Sequence, residues 1–413
     1  MSGFNLEVSM KPIQASKPTA GTNLEHARSH NRRAVLEAVR LGVSLSRADI
    51  ARKTSLTIQT ISNIVVELEE KGLLLAGANH RNPRGQPSVP YSINPSGGYS
   101  IGFHIARHGV IGVLTDLMGN VLAQHEVAAN PIDPIEATPI VVAMKNSLIK
   151  ESKIPLSKLL GIGVALPARF DLGTLSTEGP TALPGWNDAT SRATFAETLG
   201  TQVIIENDAV AAAIGEHHYG LARGIDSFVM LYVDEGLGAG LFLNGHLFKG
   251  ALSNAGEIGH MIVEPGGRQC PCGNRGCLER YVSLVAAHEF ISTHAPNELP
   301  KNPSEIDRLP VDKLAGWFLD AGPRLATAIN ILETILDAET IVIGGLASKE
   351  IIEQLIASAD PLPVSASARP NRTLPRIIAG TAGRNATALG AAALPIFDEM
   401  NPRFDILLKA ASN

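Results

Sequence analysis

The sequence predicts an α/β protein in two parts, a short helical module with a hairpin and a larger layered body of two lobes. Three observations predict it. Residues 24–72 carry apolar side chains at helical spacing in three short runs. From Tyr99 onward, short apolar runs alternate with long helical stretches over about 300 residues, more than one ordinary core holds. The punctuating stretch Asn94-Pro95-Ser96-Gly97-Gly98 reads as a linker between the two textures.

Composition narrows the class. The chain has 413 residues, 45% apolar and 18% charged, which suits folded cores and excludes a disordered chain. No uninterrupted apolar run reaches about 18 residues, so a membrane-spanning helix is excluded. The first residues show no basic segment leading into an apolar one, and three cysteines cannot build a disulfide framework. The expectation is a soluble, cytoplasmic protein. Charge is unevenly spread: residues 1–95 hold 12 Lys and Arg against 7 Asp and Glu, whereas the remainder holds 23 against 33. A basic end on an acidic body suggests a polyanion as partner.

Taken in order, residues 1–22 are rich in Ser, Pro, Thr, Gly and Lys without an apolar period and read as a loose tail. A first helix begins at Leu24, carries Val35, Leu36, Val39 and Leu41 at helical spacing, and closes at Gly42. A second opens at Ser46 with Asp49 three residues on, a capping box, and runs to Lys53. A third starts near Thr57, buries Ile61, Ile64, Val65 and Leu68, and stops at Lys71-Gly72. Leu73–Leu75 and Val89–Ile93 flank a basic loop as a hairpin. That order, over residues 23–94, is a winged helix-turn-helix.

On the third helix Gln59, Thr60 and Asn63, with Ser62 beside them, lie away from the apolar stripe. Gln and Asn pair bidentately with adenine in the major groove, although a solvated helix face has the same pattern. In the hairpin, His80, Arg81 and Arg84 make a narrow cationic loop suited to phosphates or a minor groove, unless it is a merely basic surface loop.

In the body, strands are expected at Tyr99–Ile105, Val110–Leu114, Leu160–Ala165, Gln202–Ile205, Ser227–Val233, Gly240–Leu243 and Thr340–Ile343. Helices are expected around 135–152, 190–199, 208–219, 280–294 and 311–338. Within them lies Gly256-Glu257-Ile258-Gly259-His260, followed by Cys270-Pro271-Cys272-Gly273-Asn274-Arg275-Gly276-Cys277-Leu278-Glu279. Three thiolates and an imidazole, His260, Cys270, Cys272 and Cys277, make a closed tetrahedral set, the usual form of structural zinc. The competing readings are unliganded thiols and a disulfide that strands one of them. Glu257 and Glu279 flank this set, and Asn207-Asp208 stands at the end of an apolar strand, where α/β sheets bind ligands. Converging carboxylates and amides suit a polyhydroxylated ligand. Alone, Asn207-Asp208 is equally a helix N-cap.

Together these motifs resemble the ROK family (repressors, open reading frames and kinases of sugars). The likeness runs from about residue 24 to 395, through Leu183-Pro184-Gly185-Trp186, Glu206-Asn207-Asp208-Ala209, Gly236-Leu237-Gly238-Ala239-Gly240, Asn244-Gly245, and the His and Cys signature above. It implies an actin-like/hexokinase (ribonuclease H-like) ATPase fold with sugar between the lobes. Residues 98–220 would form one lobe, with a C-terminal helix at about 380–395 packing back on it. Residues 221–379 would form the other, with the zinc loop at 260–277. It also implies Asn207, Asp208, Glu257, His260 and Glu279 as sugar contacts, with His260 linking sugar and metal, and Arg169 as a further contact.

The departures bear on activity. The family's kinases open with a D-x-G-x-T phosphate loop. Here the matching residues are His104, Ala106 and His108. The second phosphate stretch carries Asp234-Glu235 where a Gly-Thr pair is expected, and two carboxylates repel a polyphosphate. Only Gly344-Gly345 survives of the nucleotide side. The expected function is therefore a non-enzymatic, sugar-responsive repressor of carbohydrate genes. It would be nucleoid-associated, bind operator DNA as a homodimer or homotetramer, and sense a monosaccharide or a derivative of one. The alternatives are an active sugar kinase with an appended DNA-binding domain, and a vestigial cleft that answers to a protein partner.

Overall fold

The computed structural model describes residues 24–400, apart from 79–87, 131–132, 168–182, 188, 252, 368 and 370. The tail 1–22, the loop residues His80, Arg81 and Arg84, and Arg169 lie outside the described residues.

The N-terminal module follows its local signals closely. Helices α1 (Leu24–Gly42), α2 (Arg47–Thr54) and α3 (Ile58–Glu70) pack with strands β1 (Leu45–Ser46), β2 (Leu74–Ala76) and β3 (Pro90–Ile93), ordered β1-β3-β2. The Ser46 hydroxyl accepts from the Asp49 N–H at 3.2 Å while the Asp49 carboxylate accepts from the Ser46 N–H at 3.1 Å, so the capping box forms. Thr57 caps α3, and Gly72 leaves it with φ +71°. Val35, Leu36, Val39, Ile50, Ile61, Ile64, Val65 and Leu68 are all buried in one cluster. Glu67 on α3 holds Arg28 and Arg32 of α1 at 2.8 and 3.0 Å and Lys71 at 2.9 Å. Lys71, then the two arginines, pull its carboxyl down to about 2.

Residues 94–98 do not behave as the linker expected of them. Pro95–Gly97 is a 3-10 turn, and the Asn94 amide donates to the Gly72 carbonyl at 2.7 Å. A Cβ on Gly97 would stand 2.5 Å from that same carbonyl, so the turn is pressed against the module. Leu117 and Ile396 of the body belong to the module's own buried cluster. Arg40 also donates to the His218 carbonyl at 3.2 Å, and Arg223 donates to that of Arg40 at 2.7 Å. Gly and Pro signalled a turn; whether a turn is slack depends on contacts distant in sequence.

The body holds two five-stranded mixed sheets of identical topology. The first is ordered β6-β5-β4-β7-β8, from β4 (Tyr99–Ala106), β5 (Gly109–Asp116), β6 (Val121–Ala128), β7 (Leu159–Leu166) and β8 (Val203–Asn207). The second is ordered β11-β10-β9-β12-β13, from β9 (Phe228–Val233), β10 (Leu237–Leu243), β11 (His246–Leu247), β12 (Thr340–Gly345) and β13 (Ile377–Ala379). In each, an antiparallel meander continues into two parallel strands. Helices α4 (Pro134–Ser152), α5 (Ala189–Thr198) and α6 (Asp208–Tyr219) belong to the first unit. Helices α7 (Leu284–His294), α8 (Ala315–Leu336) and α9 (Lys349–Ser358) belong to the second. The last helix, α10 (Ala386–Met400), returns to pack on β4, β7 and α6. Backbone meets backbone there: a Cβ on Gly163 would fall 1.8 Å from the Ala391 carbonyl, and one on Gly390 1.7 Å from that of Ala211.

Several boundaries differ from the sequence reading. The helix expected at 280–294 begins at Leu284, and that at 311–338 at Ala315, each after a 3-10 turn. The helix expected at about 380–395 runs Ala386–Met400. Strand β6 escaped notice because it is a sheet edge on which Ala123 alone is buried, so its alternation is blurred by Gln124, His125 and Glu126.

Candidate functional site

Strand ends of both sheets meet in a cleft. At one end lies the loop that holds the cysteines. A 3-10 turn over Ile258–His260 presents His260, and a tight loop stitched by the pair Gln269–Arg275 presents the thiols. Gly276, at φ +84°, is required for closeness as well as handedness, since a Cβ would lie 1.7 Å from the Glu264 carbonyl. The Cys272 and Cys277 sulfurs are 3.6 Å apart, and the Cys270 sulfur is 3.6 Å from His260 Nδ1. The four donors all lie within 4.8 Å of one another, close enough to bind a metal ion. The three cysteines are free thiols rather than a disulfide pair with one left over. Burial pushes the Cys270 thiol up and that of Cys277 up to about 11. A bound cation would offset that by favouring the thiolates.

The acids singled out in the sequence gather round this set. Glu279 Oε1 lies 3.4 Å from His260 Nδ1 and 3.2 Å from the Cys270 sulfur, while Glu257 Oε2 lies 3.9 Å from the other ring nitrogen. So Nδ1 faces Cys270 and Glu279, and Nε2 faces Glu257. Asp208, only 7% exposed, opens α6 from the opposite lobe and accepts from the Ala209 N–H at 2.7 Å. Its carboxyl is raised to about 7 by burial first, then by the charges of Asp234 and Glu257. Of the two readings given Asn207, the helix cap is the one seen: its side-chain oxygen caps α6 by accepting from the Val210 N–H at 3.1 Å. The glycines of β10 make this meeting of lobes possible, because Gly238 and Gly240 lie directly under Ala209 and Ala213 of α6.

The other end of the cleft is different in kind. His104 on β4 is 1% exposed, and neither ring nitrogen has a hydrogen-bond partner. Its donor atoms and the carboxylate oxygens of Asp208 and Asp234 lie within 4.8 Å of one another. Burial, then Arg384, pushes the imidazole down to about 3, while burial raises Asp234 to about 6. Glu235 rises to about 8 through burial and the charge of Asp234, and it stands 3.3 Å from His108 Nε2. A cavity of about 200 Å³ opens beside them, lined by Ala106, His108, Glu235, Arg308 and Arg384. The sequence marked His104, Ala106, His108, Asp234 and Glu235 as departures but not Arg308 or Arg384, and it carried no sign that His104, Asp208 and Asp234 would converge.

On the N-terminal module, Gln59 and Asn63 are exposed on α3 and hydrogen-bonded to each other at 3.2 Å. Thr60 and Ser62 are half-buried, and the Thr60 hydroxyl bonds that of Thr57 at 2.9 Å. Among the described residues no helix is long and apolar enough to cross a membrane.

The model of the ROK family matches residues 100–396. The xylose repressor of Bacillus spizizenii is 27% identical over 383 residues, covering 89% of this chain and 94% of its own. The DNA-binding transcriptional dual regulator NagC of Escherichia coli is 27% identical over 344 residues, covering 78% and 82%. A solved ROK family transcriptional regulator, homologous to the E. coli MLC protein, superposes with a TM-score of 0.68 at 22% identity over 91% of this chain and 98% of its own. The chain belongs to the ROK family.

Proposed function

We propose that this protein is a sugar-responsive transcriptional repressor whose body senses a monosaccharide or a derivative and whose head, residues 23–94, binds operator DNA. The observation that carries the reading is the division of the cleft. Asp208, Glu257, His260 and Glu279 offer acceptors for hydroxyl groups, whereas beyond Asp208, where a kinase would hold phosphate, the cleft carries the buried His104 with Asp234 and Glu235, beside Arg308 and Arg384. Repressor relatives covering most of the chain support it.

In this reading Asn207, Asp208, Glu257, His260 and Glu279 contact the sugar. Zinc on His260, Cys270, Cys272 and Cys277 holds His260 Nδ1 so that Nε2 stays turned to the effector. Zinc thus supplies structure and takes no part in chemistry. Gln59, Thr60, Ser62 and Asn63 read bases, and Arg81 and Arg84 reach the backbone or minor groove. Residues 98–220 with α10 and residues 221–379 act as the two sensing lobes. Helix α10 follows Arg384 at the cleft and carries Ile396 into the buried cluster of the head, so a change in lobe closure reaches the DNA-binding module along one rigid element. A homodimer or homotetramer places two heads on paired half-sites. The work is done on the nucleoid, in the cytoplasm.

The test is calorimetry of the full chain with a monosaccharide panel that includes xylose and N-acetylglucosamine, without ATP. At least one sugar should bind and should change operator affinity, with no sugar-dependent ADP release. Asp208→Asn should weaken sugar binding and leave operator binding intact. Sugar-dependent ATP consumption at about 1 per second, an ordinary turnover, would overturn the reading in favour of a kinase.

A further inference from the structure

We propose that a divalent transition-metal ion binds in the cleft on His104, Asp208 and Asp234, separate from the cysteine loop. The three donors come from β4, from the start of α6 and from the turn after β9, so the site spans both lobes. All three side chains are buried, at 1%, 7% and 7% exposure, and their donor atoms lie within 4.8 Å of one another.

His104 supplies the independent observation. A fully buried imidazole with both nitrogens unpaired has lost its hydrogen bonds to water without replacement, which is unfavourable unless something else binds there. Its only described ring neighbour is Tyr232, edge-on at 6.3 Å, which satisfies neither nitrogen. An unpaired imidazole nitrogen within 4.8 Å of two buried carboxylates is an arrangement that an ion satisfies. Two carboxylates and a neutral imidazole also balance a 2+ charge, which otherwise leaves like charges facing each other in a buried place.

The donor set selects the class of ion. Nitrogen with oxygen suits manganese, iron, cobalt, nickel or zinc, whereas magnesium and calcium take oxygen shells. Donor atoms up to 4.8 Å apart across the two lobes must draw together to stand about 2.1 Å from one centre. Binding would therefore favour the closed arrangement, since an ion held by both lobes is lost when they part. Three protein ligands leave positions open toward the cavity beside His108, for water or an effector oxygen. The site does not depend on the repressor reading, because metal binding is measured with neither sugar nor DNA present.

Mn2+ is the probe, since thiolates discriminate against it and the cysteine loop stays silent. The full chain, stripped with a mild chelator, is titrated and free Mn2+ is read by electron paramagnetic resonance. About one Mn2+ per chain should bind. His104→Gln and Asp234→Asn should each weaken binding at least about tenfold, as loss of a ligand does, and Cys272→Ser should leave it unchanged. Co2+ should give weak d–d bands from this site in the Cys272→Ser protein. Circular dichroism checks that each variant is folded, and the wild-type stoichiometry stands whether or not they are. Less than about 0.2 equivalents of Mn2+ and of non-thiolate Co2+ on the wild type, or binding indifferent to both His104→Gln and Asp234→Asn, would overturn the proposal, leaving the cluster a buried water site.

Discussion

The two donor clusters of the cleft are built in opposite ways. His260, Cys270, Cys272 and Cys277 come from 18 consecutive residues of one loop, held by glycine turns and short backbone pairs. His104, Asp208 and Asp234 come from three elements in two lobes and meet only because those lobes do. A local cluster keeps its geometry when the lobes move, so it is suited to fixing a side chain such as His260. A cluster shared between lobes changes with every degree of closure, so it is suited to reporting that closure. The cleft thus has a rigid end and a responsive end.

The largest expected effect comes from breaking the lobes' registry. Gly163→Ala drives a Cβ into the Ala391 carbonyl and should destabilise the protein by about 3 kcal/mol, read as a fall in Tm. The zinc content of the cysteine loop should survive in the folded fraction; if it vanishes with Gly163→Ala, that loop is not independent of the lobes. Next, Cys272→Ser should lower zinc from about one equivalent to under half and weaken the effector about 10–100-fold through the freed His260. Elemental analysis and calorimetry check both.

A third test leaves the cleft untouched. Asn63→Ala should cost about 1–3 kcal/mol on operator DNA and little on random DNA, measured by fluorescence anisotropy. Equal losses on both would mean that the exposed face of α3 does not read bases. The smallest effect belongs to the ion-pair cluster of the head. Glu67→Gln should cost about 0.5–1 kcal/mol at neutral pH, as partly exposed pairs do. Because the folded carboxyl is held down at about 2, its contribution is whole above its ordinary 4.5 and fades as pH falls toward 2. Wild type and Glu67→Gln should therefore converge in stability in acid, followed by denaturant titration at several pH values.

Most of the head and the cysteine loop were legible in the sequence because their causes are local. The Ser46–Asp49 box, the Thr57 cap and the Gly72 stop act over three or four residues, and the thiols sit within eight. Strands β9 and β12 were legible as well, since buried parallel strands are apolar throughout. An edge strand such as β6, with one buried residue, sends no comparable signal.

By itself the sequence determined the three helices of the head, the alternating α/β body and the gathering of one histidine and three cysteines in a single loop. These follow from side-chain chemistry and from periodicities of two and 3.6 residues, which act along the chain. Only the tertiary structure decided that residues 94–98 are clamped, that α10 joins cleft to head, and that His104 faces Asp208 and Asp234. Such contacts join residues well beyond one turn or strand, from 22 positions at Asn94–Gly72 to more than 300 between Ile396 and the head. They depend on how two sheets pack across α6 and α10, where glycines let backbones touch, and no local pattern carries that distance.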